Sequence, residues 1–207
     1  GIVPVTTPVL GRHNVWKLAA AAAALLALGI PGQLIREGLA SLEQVPGRLE
    51  RVPNDADLNV LIDYAHTADA MRLVLSSLRE LTRGRLIAVF GCGGERDTTK
   101  RPVMGKMASL LADYVVLTSD NPRGEDPLEI IRQIQAGFAP GFHQFEIVPD
   151  REHAIAAALA VARRDDTVLI AGKGHEAYQF FDHVSVPFSD REVVERWAGS
   201  RHTVAVS

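Results

Sequence analysis

Residues 120–123 read Asp-Asn-Pro-Arg, separated by Thr118 and Ser119 from the apolar run Tyr114–Leu117. Proline presets φ and Asx side chains bond their own backbone, so an apolar strand running into this tetrapeptide ends in a turn that presents Arg123 from a loop. A guanidinium is a planar fork of five donors suited to a carboxylate or a phosphate. Alone, such a residue is more often a solvated turn arginine. Three further segments carry comparable chemistry: "LIDYAHT" ends in Asp63, Tyr64 and His66, "IAVFGCGGERD" runs through a glycine turn to Glu95, Arg96 and Asp97, and "VLIAGKGHE" ends in Gly172, Lys173, Gly174, His175 and Glu176. Taken singly, Asp63 reads as a helix cap, His66 as a loop histidine and the glycines as turns. Together they offer Arg96 and Arg123 for carboxylates, Glu176 for an ammonium and glycine amides for close backbone approach. An amphoteric ligand such as an amino acid satisfies both signs at once.

These residues need elements that bring them to one rim. Beyond residue 57, short apolar runs alternate with segments of helical length, predicting helices over 67–81, 101–112, 127–137 and 151–163. That alternation predicts an α/β fold, a Rossmann-like, mostly parallel sheet with helices on both faces. Ligands of such sheets sit beyond the carboxyl ends of the strands, where all four segments lie. Upstream, the alanine-rich stretch from Asn14 to Gly29 reads as a buried helix and "PGQLIREGLASL" as a second, with Leu34, Ile35, Leu39 and Leu42 on one stripe. "VTTPVLG" reads as the last strand of another unit. The turn-rich stretch over 44–57 supplies the boundary that divides residues 1–46 from 47–207. At the other end, residues 181–197 predict a short extended edge piece and a last helix capped by Ser189 or Asp190.

Composition narrows the function classes. A hydrophobic share of 47% and a charged share of 23% are those of an ordinary globular protein, and a net charge of -3 argues against binding nucleic acid through a strongly basic field. Cys92 is the sole cysteine, which excludes an intrachain disulfide and a cysteine metal cluster and fits a reducing cytoplasm. With no evident activating partner, it reads as a packing residue. The apolar run 18–30 falls short of the ~20 residues that span a bilayer, is mostly alanine, and is stopped by Gly29 and Pro31, so it reads as a soluble helix. "GCGG" invites a nicotinamide-dinucleotide reading, but Arg96 stands where that fingerprint wants a third small residue. No G-x-x-x-x-G-K-[ST] occurs, so ATP chemistry would need a phosphate loop outside this sequence.

The ordered motifs "GRHNV" before the alanine-rich helix, "GRLE", "DYAHT", "FGCGGERDTTKRP", "DNPR" and "AGKGHE" resemble the Mur ligases over nearly the whole chain, from Gly11 to about residue 198. The resemblance is to the branch that adds the third peptide residue in peptidoglycan synthesis. It implies that residues 1–46 are the end of a central ATPase domain and 47–207 a carboxyl-terminal α/β domain. It further implies a cytoplasmic, monomeric enzyme that uses ATP and Mg2+, with the phosphate and metal sites on a preceding segment. The implied reaction activates the carboxylate of a UDP-N-acetylmuramoyl-dipeptide as an acyl phosphate, which the amine of meso-diaminopimelate attacks.

On this resemblance Arg123 holds the distal carboxylate of diaminopimelate, Asp120, Asn121 and Pro122 shape its turn, and Arg96 supplies a second cation. The Gly172 backbone and the Glu176 carboxylate take the distal ammonium. Asn14, Arg48, Asp63 and His66 form this segment's share of the ATP side. No catalytic residue and no metal ligand is assigned to the chain, and neither nucleic acid nor membrane insertion is expected. Lys17 stands where relatives often repeat an asparagine, and Ala68 where proline is usual. The alternatives are another ligase of this architecture, such as a folylpolyglutamate or cyanophycin synthetase, or a binding module that is inactive by itself.

Overall fold

Strands that are apolar at consecutive positions must be covered on both faces, and the burial pattern shows it. The computed structural model describes residues 4–204. Two helices come first, α1 (Arg12–Ala27) and α2 (Gly32–Ala40). Then follow β1 (Glu50–Arg51), β2 (Asn59–Asp63), α3 (Ala68–Leu81), β3 (Leu86–Phe90), α4 (Lys100–Leu111), β4 (Tyr114–Leu117), α5 (Pro127–Gln135), β5 (Phe145–Ile147), α6 (Arg151–Val161) and β6 (Thr167–Ala171). The chain closes with β7 (Tyr178–Phe181), β8 (Val184–Pro187) and α7 (Asp190–Val204). One sheet has the order β1-β2-β6-β3-β4-β5, parallel throughout except for β1, which pairs antiparallel with β2. Every residue of β3 and β6 is buried.

Alternation along the strands feeds two cores. Leu61, Ala88, Phe90, Leu117 and Leu169 face one core with Met71, Leu75, Met104 and Ile131 of α3, α4 and α5. Val60, Ile62, Val89, Val168 and Ile170 face the other with Ile155 and Leu159 of α6 and Val194 of α7. The helix starts follow local chemistry: Thr67 accepts from the Ala70 amide, Asp126 from Leu128 ahead of Pro127, and Asp150 from His153. Between β3 and β6 the connections diverge: β3 leads to α4 on the first core's side, while β6 is entered from α6 on the other. A crevice at the carboxyl ends of these strands follows from the topology.

Four expectations require correction. The alanine-rich helix forms, but Asn14 is its single buried residue, and Leu26 and Leu28 are exposed. Alanine favours helix whether or not it is covered, so composition established the element without establishing its burial. On α2, Ile35 and Leu39 are buried but Leu34 is exposed. Residues 4–10 form no strand; Pro4 and Pro8 remove two of the donors that a ladder would need. The tail read as a short edge piece is a complete β7–β8 hairpin, a second sheet of its own. Ser189 serves the start of α7, accepting from Glu192 N at 3.4 Å, while Asp190 is buried in an ion pair.

Candidate functional site

The floor of the crevice is built from two loops that touch. A Cβ on Gly91 would lie 2.1 Å from the Thr118 carbonyl oxygen, and one on Gly94 would lie 1.9 Å from that of Pro122. Only glycine allows this approach. Gly94 N donates to Asn121 O at 2.9 Å, and the fully buried Arg101 locks the pair of loops from beneath, donating to both oxygens of Glu125 and to Gly93 O. The Arg101 bonds hold the Glu125 carboxyl below its ordinary range. The glycines thus serve loop-on-loop contact, and α4 begins only at Lys100, which removes the geometry a dinucleotide fingerprint requires.

Arg123 sits on this floor with φ +52. Its backbone is held from both sides by the hairpin: Arg123 N donates to Phe180 O at 2.9 Å, and Asp182 N donates to Arg123 O at 2.7 Å. Its Nη1 donates to Gly94 O at 2.8 Å, leaving the rest of the fork for the cavity that it lines. From β6, Gly172 at φ +110 comes so close to Asp120 that a Cβ would lie 2.5 Å from Oδ2. Burial pushes the Asp120 carboxyl up, against the pull of Arg151 and Lys173. Arg151 pairs with Asp190 through Nε and Nη2 at 2.7 and 2.9 Å and also donates to Ser119 O and Ala171 O, which ties the ends of β4 and β6 together.

These elements enclose a cavity of about 520 Å3, lined by the cations Arg96, Lys100 and Arg123, by the acids Asp97, Asp120 and Glu176, and by Asn121, Gly172, Tyr64 and His66 beside them. An adjoining cleft of about 390 Å3 shares Tyr64 and His66 and adds His13, Lys17, Arg48 and Asp63 over an apolar patch of Leu73 and Val74. Arg48 lies over the Tyr64 ring at 5.0 Å, and His66 Nδ1 is 2.8 Å from Tyr64 O. Burial raises the Asp63 carboxyl, opposed by a hydrogen bond from Leu49 N, and burial lowers His13. No group of three or more His, Cys, Asp or Glu suited to a metal ion occurs among the described residues. No helix among them is long and apolar enough to cross a membrane.

The family model described as Mur ligase, glutamate ligase domain, matches residues 47–174. The chain belongs to this family. It is 46% identical to the UDP-N-acetylmuramoyl-L-alanyl-D-glutamate--2,6-diaminopimelate ligase of Clostridioides difficile, over 90% of this chain and 38% of that one. To the ligase of the same name in Gloeobacter violaceus it is 50% identical, again over 90% of this chain and 38% of the relative. A solved structure of a ligase so named superposes with a TM-score of 0.74 at 39% identity, covering 96% of this chain and 40% of the other. An Escherichia coli FolC structure with ADP, at 22% identity and TM-score 0.64, shares the fold alone. This Mur ligase chain therefore spans about two fifths of the length of the relatives it matches.

Of the residues singled out in the sequence, the Mur ligase domain brings Arg96, Asp120, Asn121, Arg123, Gly172, Glu176 and His66 to the main cavity. Pro122 stands behind it, its carbonyl accepting from Glu125 N and pressing on Gly94. Arg48 and Asp63 line the second cleft. Asn14 does not: its Nδ2 donates inward to Leu10 O at 2.7 Å, and Lys17, which donates to Asn14 Oδ1 at 3.1 Å, lines the cleft in its place. Asp63 caps no helix; its Oδ2 accepts from Leu49 N at 2.8 Å. Cys92 packs on Met104 and burial pushes its thiol up to about 12, as befits a packing residue. Sequence reasoning passed over Lys100, whose Nζ donates to His66 O at 2.7 Å, and gave Lys173 no role. The Asx turn in "DTTK", with Thr99 N and Oγ1 on Asp97 Oδ1, was the available signal for Lys100.

Proposed function

We propose that this chain is the amino-acid-binding part of an ATP-dependent ligase that joins meso-diaminopimelate to UDP-N-acetylmuramoyl-L-alanyl-D-glutamate through an acyl phosphate. The observation that carries this reading is one cavity at the strand ends holding Arg96 and Arg123 together with Asp120 and Glu176. Diaminopimelate carries a carboxylate and an ammonium at each end, so a pocket that grips one end must offer both signs. The names of the similar ligases support the same substrate. Residues 1–46 then close a preceding ATPase domain, and 47–207 form the terminal one.

In this reading Arg123 binds the distal carboxylate with its free donors, Arg96 adds a second cation, and Glu176 with the Gly172 backbone takes the distal ammonium. The reacting amine at the other end is left facing out of the pocket. Its lone pair attacks the acyl carbon, the carbon–oxygen bond to phosphate breaks, and the amine's proton is released as the amide forms. Holding the amine in place converts an encounter into an oriented attack, which is this chain's contribution to rate. The second cleft suits part of a nucleotide, since Lys17 and Arg48 offer cations beside the apolar Leu73 and Val74. The donors for phosphate and Mg2+ are assigned to another segment, because this sequence contains no phosphate-loop motif.

Titration of the isotopically labelled chain with meso-diaminopimelate and with lysine, followed at the backbone amides, tests this reading. Saturable shifts near Arg96, Arg123 and Gly172 with diaminopimelate alone, lost in Arg123→Ala, are expected. Equal responses to both amino acids would overturn the arginine's role, because lysine, with no distal carboxylate, leaves that arginine unpaired.

A further inference from the structure

Lys173 is the fully buried residue between two glycines at the end of β6. Its ammonium has three protons and three acceptors: Asn121 Oδ1 at 3.0 Å, Glu176 Oε2 at 3.0 Å and Tyr178 O at 2.5 Å. All its donors are thereby engaged inside the protein, and it does not line the cavity. Its acceptors belong to three different segments: the turn after β4, the turn after β6, and the first strand of the hairpin.

The consequence reaches the cavity wall. Asn121 Oδ1 accepts from Lys173 and from Phe180 N at 3.2 Å, which fixes the carboxamide so that Nδ2 donates to Glu176 Oε2 at 2.9 Å. Oε2 then holds two donors, and Oε1 is left for others. Resting on the pocket reading above, we propose that Lys173 is the positioning residue of the amino-acid site: it sets the orientation of Asn121 and Glu176 and turns one carboxylate oxygen of Glu176 toward the ligand's ammonium. Burial alone would raise the Glu176 carboxyl, but bonds from Asn121, Lys173 and Tyr64 hold it below its ordinary range. The charged and titratable groups that act on it include Lys173, Tyr64, Asp120 and Arg151, and Arg96, Arg123 and His66 line the same cavity.

Lys173→Met keeps the stem and removes the charge. In that variant the Glu176 side-chain carboxyl, followed by carbon NMR without ligand, is expected to titrate about one pH unit higher. The diaminopimelate dissociation constant is expected to rise roughly tenfold or more, because the oxygen that receives the ammonium is no longer held. A folded Lys173→Met with an unchanged Glu176 midpoint overturns the proposal, since a merely space-filling lysine would leave that midpoint alone. If the variant does not fold, the unmutated chain decides. Its Lys173 ammonium should give proton signals shielded from exchange, with contacts to the Asn121 amide, and an ammonium exchanging at the solvent rate overturns the idea. Should diaminopimelate fail to bind the unmutated chain, the pocket reading falls, while the ligand-free measurements still judge Lys173.

Discussion

Arg123 shows how a single residue can be costly to the fold and still be retained. A left-handed conformation costs a side chain with a Cβ roughly 1–2 kcal/mol, and Arg123 keeps it because the hairpin bonds its amide and its carbonyl. Gly172 illustrates the converse, a position where no side chain fits. Gly172→Ala would place a methyl 2.5 Å from Asp120 Oδ2 at φ +110, and an expected loss of about 2–4 kcal/mol follows from strain and displacement together. Urea unfolding measures it, and diaminopimelate affinity should fall with it, since both residues line the cavity. The sequence made most of these residues visible as candidates because they stand at strand ends. It did not show which loops the glycines let touch, for that depends on neighbours 27 or more positions away, such as Thr118 beneath Gly91.

At the level of elements, the strands and helices from β2 to β6 were legible because apolar runs and helical spacing were both unambiguous. The ambiguity lay where one residue type serves two ends. Asp190 begins α7, a position typical of a cap, but its carboxylate is buried against Arg151 and so joins α7 to α6 and to the ends of β4 and β6. Removing one partner of a buried pair leaves a charge uncompensated. Asp190→Ala is therefore expected to destabilise by about 3–5 kcal/mol, checked by denaturant unfolding, whereas an aspartate acting only as a cap would cost about 1 kcal/mol. The α1 helix gives the complementary lesson: alanine content announced the helix, but what covers a helix is decided by its neighbours, and α1 adds no residue to either core.

For the molecule as a whole, the acid limb of stability has an identifiable source. Asp166 is buried, which by itself raises its carboxyl, but hydrogen bonds from the Arg85 side chain and from the Arg85 and Arg163 amides hold it below its ordinary value. A carboxyl depressed in the folded state contributes stability that is complete above its unfolded value, near pH 4, and is lost as pH falls through the folded value. Stability should decline below about pH 4, and Asp166→Asn should flatten that decline while lowering stability at neutral pH; denaturant midpoints measured across the acid range test both. The strand order has a consequence in time as well as in space. Because β6 lies between β2 and β3, the sheet's central strand is synthesised after every other strand of that sheet. Until residue 171 emerges, β1–β2 and β3–β4–β5 are two separate ribbons with no strand to join them, and their inner edges stand open to wrong partners. A chain ended at residue 166 is expected to be trapped by chaperones or lost to aggregation, whereas one that continues through β6 can close the sheet between β2 and β3.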